Sequence, residues 1–414
     1  MKRSSRAAET ALPYEIDAAG KGVLGMPPAQ FLRDYWQKRP LLIRNAFPGF
    51  VSPVSPEDLA GLACEDQALA RIASYDRAKD AWTMRSGPFA EDEFPGMPHQ
   101  DWTLLVQDVD KWDPDIRALL DDFDFLPRWR MDDIMISFAA PGGSVGAHID
   151  QYDVFLLQGI GHRRWMIDVA PNPDETYLDD VPLRLLKHFK PTHDWVLKPG
   201  DMLYLPPGVP HHGVAEDACI TISVGLRAPS SSELLGDFVD SLICDADESV
   251  RYTDPDLAPA KDAYEIDADA MTRAIEALNK LRMRDPERLG DWFGRFISLY
   301  RSAGVPLDPD PPRSRIEIEW DLQQGAVLER HPWTRAAWRR TDRKSQAALY
   351  LAGQTHRLPM ADARLLAAAA TLDHAGYDAL SAQARDLVHE WIAQGYYGLR
   401  QDEGDLSDGD GDDA

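Results

Sequence analysis

His148 and Asp150 stand two residues apart in the run Pro141-Gly-Gly-Ser-Val-Gly-Ala-His148-Ile-Asp150-Gln-Tyr-Asp153. On a β-strand, side chains two apart leave by the same face, so one imidazole nitrogen and one carboxylate oxygen can reach a single ion. A third ligand would complete a facial triad of two histidines and one carboxylate, which leaves three cis positions open on Fe(II). The adjacent His211 and His212 compete for that place. A lone His-x-Asp is common by chance in a chain with eleven histidines, so the surroundings of the second pair decide.

Gly200-Asp201 reads as a tight turn, Met202 to Leu205 as a short apolar strand, and Pro206-Pro207-Gly208 as a rigid reversal. The spacing Gly-x5-Pro-x-Gly-x2-His fits the second motif of cupin barrels, and it selects His211. His212 must then point away if the strand continues. An Fe(II) held by His148, Asp150 and His211 keeps three free positions. 2-Oxoglutarate can fill two of them through its 2-oxo and C1-carboxylate oxygens, and dioxygen the third. Oxidative decarboxylation to succinate and carbon dioxide then yields an oxidant able to attack an unactivated C–H bond. The distal carboxylate of 2-oxoglutarate needs a cation, and Arg163 and Arg164 lie on a return strand beside the first two ligands. Strand parity puts them on opposite faces, one inward and one toward solvent. The residues alone leave open which.

At 414 residues the chain exceeds one compact core and calls for two or three domains. With 44% hydrophobic and 27% charged residues, its composition is that of an ordinary globular protein. The net charge of −25 argues against direct binding of nucleic acid and fits a basic partner protein. Cys64, Cys219 and Cys244 are too few and too scattered for a disulfide framework or a zinc site, so a reducing cytoplasm is expected. Met1 to Thr10 is polar and unlike a secretory signal. No apolar run reaches the roughly 18 residues of a membrane span.

These residues need strands to position them. After a flexible lead-in to about residue 20, helices are expected at Pro28–Trp36 and from Pro56, capped by Ser55, and a strand at Arg39–Arg44. Further strands are expected at Ala81–Arg85, Trp102–Gln107, Trp129–Phe138, Val154–Gln158, Arg163–Ile167, Asp194–Leu197, Met202–Leu205 and Cys219–Leu226. A helix capped by Asp113 should run to Phe123. Many short strands with Gly and Pro turns indicate an antiparallel barrel or double-sheet jelly roll.

Beyond about residue 230 strands give way to amphipathic helices. A capping box opens Ser232–Asp245, and apolar residues at helical spacing mark Asp267–Met283 and Leu289–Leu299. They are read as a dimer interface. A Pro-rich hinge at Asp308–Arg313 leads to a strand at Leu349–Leu351, a turn at Ala352-Gly353 and helices at Ala361–Leu372 and Ala384–Gln394. That pattern reads as a winged-helix-like module. It lacks a basic recognition helix, which favours a structural or protein-binding role. The last fourteen residues, with seven negative charges, read as a disordered acidic tail. The expected division is 1–230 catalytic with its core at about 95–230, 231–305 helical, 306–400 winged-helix-like, and 401–414 tail.

Several runs resemble the JmjC-type ribosomal oxygenases of the cupin superfamily. They are Asp132-Asp-Ile-Met-Ile-Ser137, Pro141 to Phe155 with both ligands, Gln158-Gly-x-Gly-x-Arg163-Arg-Trp165 and Pro206-Pro-Gly-x-Pro-His211-x-Gly213. Trp102 to Trp112 and Ser223 to Pro229 also match, and the likeness is nearest to the bacterial branch. It covers residues 30–230 well and the remainder loosely. It implies a double-stranded β-helix catalytic domain, a helical dimerisation region and a C-terminal winged-helix module. It further implies hydroxylation of an arginine in a large-subunit ribosomal protein, with Fe(II) as metal and 2-oxoglutarate and dioxygen as cosubstrates. Carried over by position, His148, Asp150 and His211 are the iron ligands, and Arg163 with Ser137 holds the distal carboxylate. Ala139-Ala140 departs from the family, whose members tend to have a polar residue after the Ser-Phe pair. Asp153 or Asp133 could pair with a substrate guanidinium. The alternatives are a histidine hydroxylase, a JmjC lysine demethylase releasing formaldehyde, and a metal-binding cupin scaffold without catalysis.

Overall fold

The computed structural model describes residues 12–400 apart from 227, 245, 247, 248, 250, 256, 260–263, 265, 281–284 and 300–312. The start of the expected lead-in, most of the Pro-rich hinge and the acidic tail lie outside the described residues. The chain divides into two compact units, Met1–Ala228 and Pro229–Ala414.

The first unit is built on β1 (Glu15–Asp17), β2 (Leu41–Arg44), β3 (Ala70–Asp76), β4 (Ala81–Ser86), β5 (Trp102–Val106), β6 (Asp133–Ala139), β7 (His148–Ile149), β8 (Asp153–Ile160), β9 (Arg163–Ile167), β10 (His193–Leu197), β11 (Met202–Leu205), β12 (Pro210–Ala215) and β13 (Cys219–Leu226). One sheet has the order β1-β2-β11-β8-β13-β6-β5-β3-β4, and a smaller one β10-β9-β12-β7. The central strands of the large sheet are buried on both faces. On one, Ile134, Ile136, Phe155, Ile222 and Val224 pack with Phe31 of α1 (Pro28–Asp34) and Leu59 of α2 (Pro56–Leu62). On the other, Leu42, Val154, Leu156 and Leu203 meet Trp165, Ile167 and Leu197 of the small sheet. Two sheets closing on a shared interior make the jelly roll that the strand pattern indicated.

Local chemistry sets the boundaries. Ser55 and Asp58 form a full capping box ahead of α2. After α3 (Val109–Trp112), the Asp113 carboxylate accepts the N–H groups of Asp115 and Ile116 and starts α4 (Pro114–Ala118). The helix expected through Phe123 tightens after Ala118 into a 3₁₀ turn, Leu119–Phe123. The strand expected from Trp129 begins only at Asp133, because Arg128–Arg130 forms a 3₁₀ turn. β8 runs through Gly159 and turns at Gly161, which has φ +64° and where a Cβ would sit 2.3 Å from the Ala218 carbonyl oxygen.

The second unit opens with α5 (Ser231–Cys244), where Ser230 and Glu233 cap each other's backbone. α6 (Ala268–Lys280) and α7 (Pro286–Leu299) follow, then α8 (Arg315–Gln323). One three-stranded sheet combines β14 (Val327–Arg330), β18 (Thr371–Leu372) and β19 (Tyr397–Arg400), and another β15 (Ala336–Arg340), β16 (Gln346–Leu351) and β17 (Gln354–Pro359). With α9 (Met360–Ala368), α10 (His374–Asp378) and α11 (Ala382–Ala393) they enclose a core around Leu349, Leu366 and Trp391. The helix expected to reach Leu372 stops at Ala368, since Thr371 and Leu372 pair with β14. Glu287 and Asp291 of α7 take Arg339 and Arg357 of the second sheet, so that helix is clamped to the module.

Candidate metal and cosubstrate site

Strand alternation builds the cavity. β5, β6, β13 and β8 are neighbours in the large sheet, and every second residue of each turns toward the small sheet. Leu105, Met135, Ser137, Val154, Thr221 and Ser223 thereby line a pocket of about 750 Å³, counting its open mouth.

At one end of this pocket the small sheet supplies a cluster of donors. β7 and β12 run antiparallel with His148 directly opposite His211, ring centroids 4.2 Å apart. Asp150 follows β7 immediately, and its carbonyl accepts the Gly208 N–H at 2.8 Å, tying the two ligand-bearing segments together. His148 Nδ1 donates to the Gly146 carbonyl and His211 Nδ1 to that of Val209, both at 2.9 Å. Those bonds fix the tautomer and leave both Nε2 lone pairs free. The Nε2 atoms lie 3.9 and 3.6 Å from Asp150 Oδ2, and the three ligand atoms fall within 4.8 Å of one another. Metal–donor bonds of about 2.1 Å at right angles would set donors about 3 Å apart, so small side-chain adjustments suffice to close on an ion. Burial, and then the neighbouring His148, pushes His211 down to about 4, keeping it neutral as a ligand must be. His212 faces away, its Nε2 3.0 Å from Ser144 Oγ. The donor set and geometry fit a divalent iron with three open positions.

The structure resolves the arginine pair. Arg164 is exposed and pairs with Asp194 at 2.8 Å and with Glu216. Arg163 is 2% exposed and lines the pocket. Its Nη1 reaches Ser137 Oγ at 3.3 Å and its Nη2 the Gly213 carbonyl at 3.4 Å, while Nε has no partner. Among the described residues no carboxylate forms an ion pair with it, and burial lowers its pKa. A buried guanidinium held by two long hydrogen bonds and by the Trp165 ring, 5.1 Å away, fits an incoming carboxylate. Gly213 makes room for it: a Cβ there would lie 2.7 Å from the Trp165 ring and 2.8 Å from Arg163 Nε.

The two acidic candidates part ways. Asp133 lines the pocket, and burial, followed by the charges of Asp108, Asp132 and Asp110, pushes it up to about 7. Asp153 does not reach the pocket. Its carboxylate lies on the opposite face of β8, accepting from Tyr204 Oη at 2.7 Å, Gln37 Nε2 at 2.9 Å and Arg130 Nη2 at 3.2 Å. Odd-numbered residues of β8 share the face of Phe155, which corrects the expectation that Asp153 could meet a substrate. The sequence reading passed over Thr103, Trp165 and Thr221, which also line the cavity. For Trp165 a signal existed, since it is two residues from Arg163 on one strand.

Comparison with known proteins agrees with this architecture. Residues 118–234 match the JmjC domain and 279–398 the ROXA-like winged helix. The ribosomal protein uL16 3-hydroxylase of Escherichia coli K12 is 39% identical over 307 residues, 72% of this chain and 79% of that protein. A probable ribosomal oxygenase of Haemophilus influenzae is 40% identical over 238 residues, 56% of each. The crystal structure of E. coli YcfD superposes with a TM-score of 0.81 at 34% identity, covering 91% of this chain and 98% of that one. Its complex with cobalt and 2-oxoglutarate gives 0.78 at 34% identity, over 90% and 98%. The chain thus belongs to the JmjC ribosomal oxygenases and is, as its sequence resemblance implied, a 2-oxoglutarate-dependent dioxygenase.

Proposed function

We propose that this enzyme hydroxylates an arginine of a large-subunit ribosomal protein, using Fe(II) and 2-oxoglutarate. The name of the E. coli relative assigns uL16 to that protein, which makes uL16 the first substrate to test. His148, Asp150 and His211 hold the iron, Arg163 and Ser137 take the distal carboxylate of 2-oxoglutarate, and Asp133 receives the substrate cation. The observation that carries this reading is one cavity holding both a three-donor cluster and a buried guanidinium without a carboxylate. When bound, iron and 2-oxoglutarate supply the oxidising chemistry with dioxygen, yielding succinate and carbon dioxide as one oxygen enters the substrate. The chain's own part is positional. The backbone carbonyls of Gly146 and Val209 aim the imidazoles, Arg163 orients the cosubstrate, and the walls of β5, β6 and β13 limit water.

Intact-mass analysis of large-subunit ribosomal proteins from cells with and without this chain tests the reading. A gain of one oxygen on uL16 is expected only with the chain present. Release of formaldehyde from a methylated substrate would point to demethylation, and oxygen on a histidine would replace the arginine assignment.

Asp133 favours a permanently charged guanidinium, and its pKa gives the reading a pH signature. Ionised Asp133 should bind the cation, so kcat/KM for the peptide rises with pH through about 7. Asp133→Asn should flatten that rise and lower kcat/KM at pH 8 by about tenfold to a hundredfold. Stability moves oppositely. The folded pKa lies above the unfolded value of about 3.9, so the folded chain holds the extra proton between about pH 4 and 7. Stability falls as pH rises through that window, and Asp133→Asn should remove the slope in denaturant titrations. An unchanged pH profile would exclude Asp133 from cation binding.

The remaining assignments are proposals of the same kind. The chain divides into catalytic (1–230), helical (231–305) and winged-helix-like (306–400) parts, with residues 401–414 as an acidic tail. It works in the cytoplasm, where ribosomal proteins are made; no helix among the described residues is long and apolar enough to cross a membrane. It binds no nucleic acid directly and forms a homodimer through the helical part. Exposed Leu235 and Ile243 on α5, and Met271, Ile275 and Leu278 on α6, support that interface. Sedimentation should show a dimer that Ile275→Asp with Leu278→Asp converts to monomers; an unmoved boundary would reject the interface.

A further inference from the structure

Among the described residues, two polar side-chain atoms in the cavity wall, besides Arg163 Nε, are buried without a partner: Thr103 Oγ1 and Trp165 Nε1. Leaving such a group unmatched in a dry wall is costly, so each marks a place where a ligand atom or water belongs. The Trp165 ring lies between the two groups, 6.0 Å from the His211 ring and 5.1 Å from the Arg163 guanidinium carbon. Thr103 lies toward Arg163. On β5 it is the cross-strand partner of Ala139, which in turn pairs with Cys219. Ala139 and Cys219 pack with Ala215, the residue paired with Arg163 in the small sheet. The Thr103 hydroxyl therefore belongs to the small-residue floor beneath the guanidinium, one row along from Ser137. Thr221, also in this wall, already donates to Gln158 Oε1 at 3.2 Å, and Ser137 already accepts from Arg163. Thr103 Oγ1 is the hydroxyl of the three with no protein partner.

We propose that Thr103 is a third donor to the distal carboxylate of the cosubstrate, completing with Arg163 and Ser137 a three-point cradle that selects dicarboxylate over monocarboxylate 2-oxo acids. This rests on the reading above that 2-oxoglutarate binds with its distal carboxylate at Arg163. A Thr hydroxyl facing a carboxylate makes a charge-assisted hydrogen bond, and the surrounding Ala139, Ala215 and Cys219 offer no competing hydroxyl or amide. A valine in its place keeps the shape and removes the donor.

Binding to the protein loaded with Mn(II) under anaerobic conditions tests this without turnover. Dissociation constants are measured for 2-oxoglutarate and for pyruvate, which has the chelating 2-oxo acid but no distal carboxylate. Thr103→Val should weaken 2-oxoglutarate by about tenfold or more and leave pyruvate within about twofold, while Thr103→Ser restores most of the 2-oxoglutarate affinity. Equal loss for both ligands would mean a structural role and overturn the proposal, as would 2-oxoglutarate binding unchanged in Thr103→Val. If the wild-type protein discriminates between the two acids and Thr103→Val does so equally well, the inference alone fails. If the wild-type protein takes up no 2-oxoglutarate, the parent reading fails and this one with it.

Discussion

Asp150→Ala should abolish detectable succinate release and leave the fold standing. Asp150 is half-buried, and its ion-pair contacts among the described residues are to His148 and His211. No core contact is lost with its carboxylate. Removing one of three donors forfeits several kcal/mol of metal affinity and orientation, on the order of a thousandfold or more in rate. The measurement that separates function from folding is a thermal shift. At a metal concentration of about 100 times Kd, the wild-type protein gains about 2.7 kcal/mol from binding. Asp150→Ala should lose that gain while melting, metal-free, near the wild-type temperature, and His211→Ala should lose it from a lower metal-free melting point, because its imidazole is buried. A full metal-dependent shift in either variant would remove that residue from the ligand set.

Arg163→Met separates cosubstrate binding from stability in the same manner, with the opposite sign. The guanidinium is almost fully buried and finds no carboxylate among the described residues, so in the ligand-free protein its desolvation is largely unrepaid. Methionine fills similar volume without that cost, so the ligand-free variant should be as stable as wild type or more so. Binding of 2-oxoglutarate should weaken by about a hundredfold to a thousandfold, the loss expected on truncating one partner of a buried charge pair. Arg163→Lys should recover only part, because an ammonium lacks the fork that grips both carboxylate oxygens. A strongly destabilised variant with unaltered 2-oxoglutarate affinity would make Arg163 a structural residue.

Much of the site was legible because its chemistry is local. His148 and Asp150 are two residues apart on one short segment, and the turn through Gly208 fixes His211 by spacing. Parity also set Arg163 and Arg164 on opposite faces, although only the packed sheets reveal which face is inner. What stayed hidden depends on pairing between distant strands. Thr103 reaches the cavity only because β5 lies against β6, and nothing in its own neighbourhood marks it. Asp153 misled for the same reason. It follows the ligands closely in sequence, yet β8 turns its carboxylate into a network with Gln37, Tyr204 and Arg130, residues up to 116 positions away. In the second unit, β16 and its Ala352-Gly353 turn were evident from their apolar run and breaker residues. α8, β14 and β15 were not. Their amphipathic signals are weak, and burial against Trp391, Leu349 and their neighbours defines them instead.

Three side chains hold the metal and leave half its coordination sphere to ligands from outside. Counting the exchangeable waters on bound Mn(II), by electron–nuclear double resonance in isotopically labelled water, tests this most directly. Six positions less the three donors His148, Asp150 and His211 predict about three waters on the bound ion, falling to about one when 2-oxoglutarate is added. A metal carrying one water or none before 2-oxoglutarate arrives, or a count that 2-oxoglutarate leaves unchanged, would contradict the account.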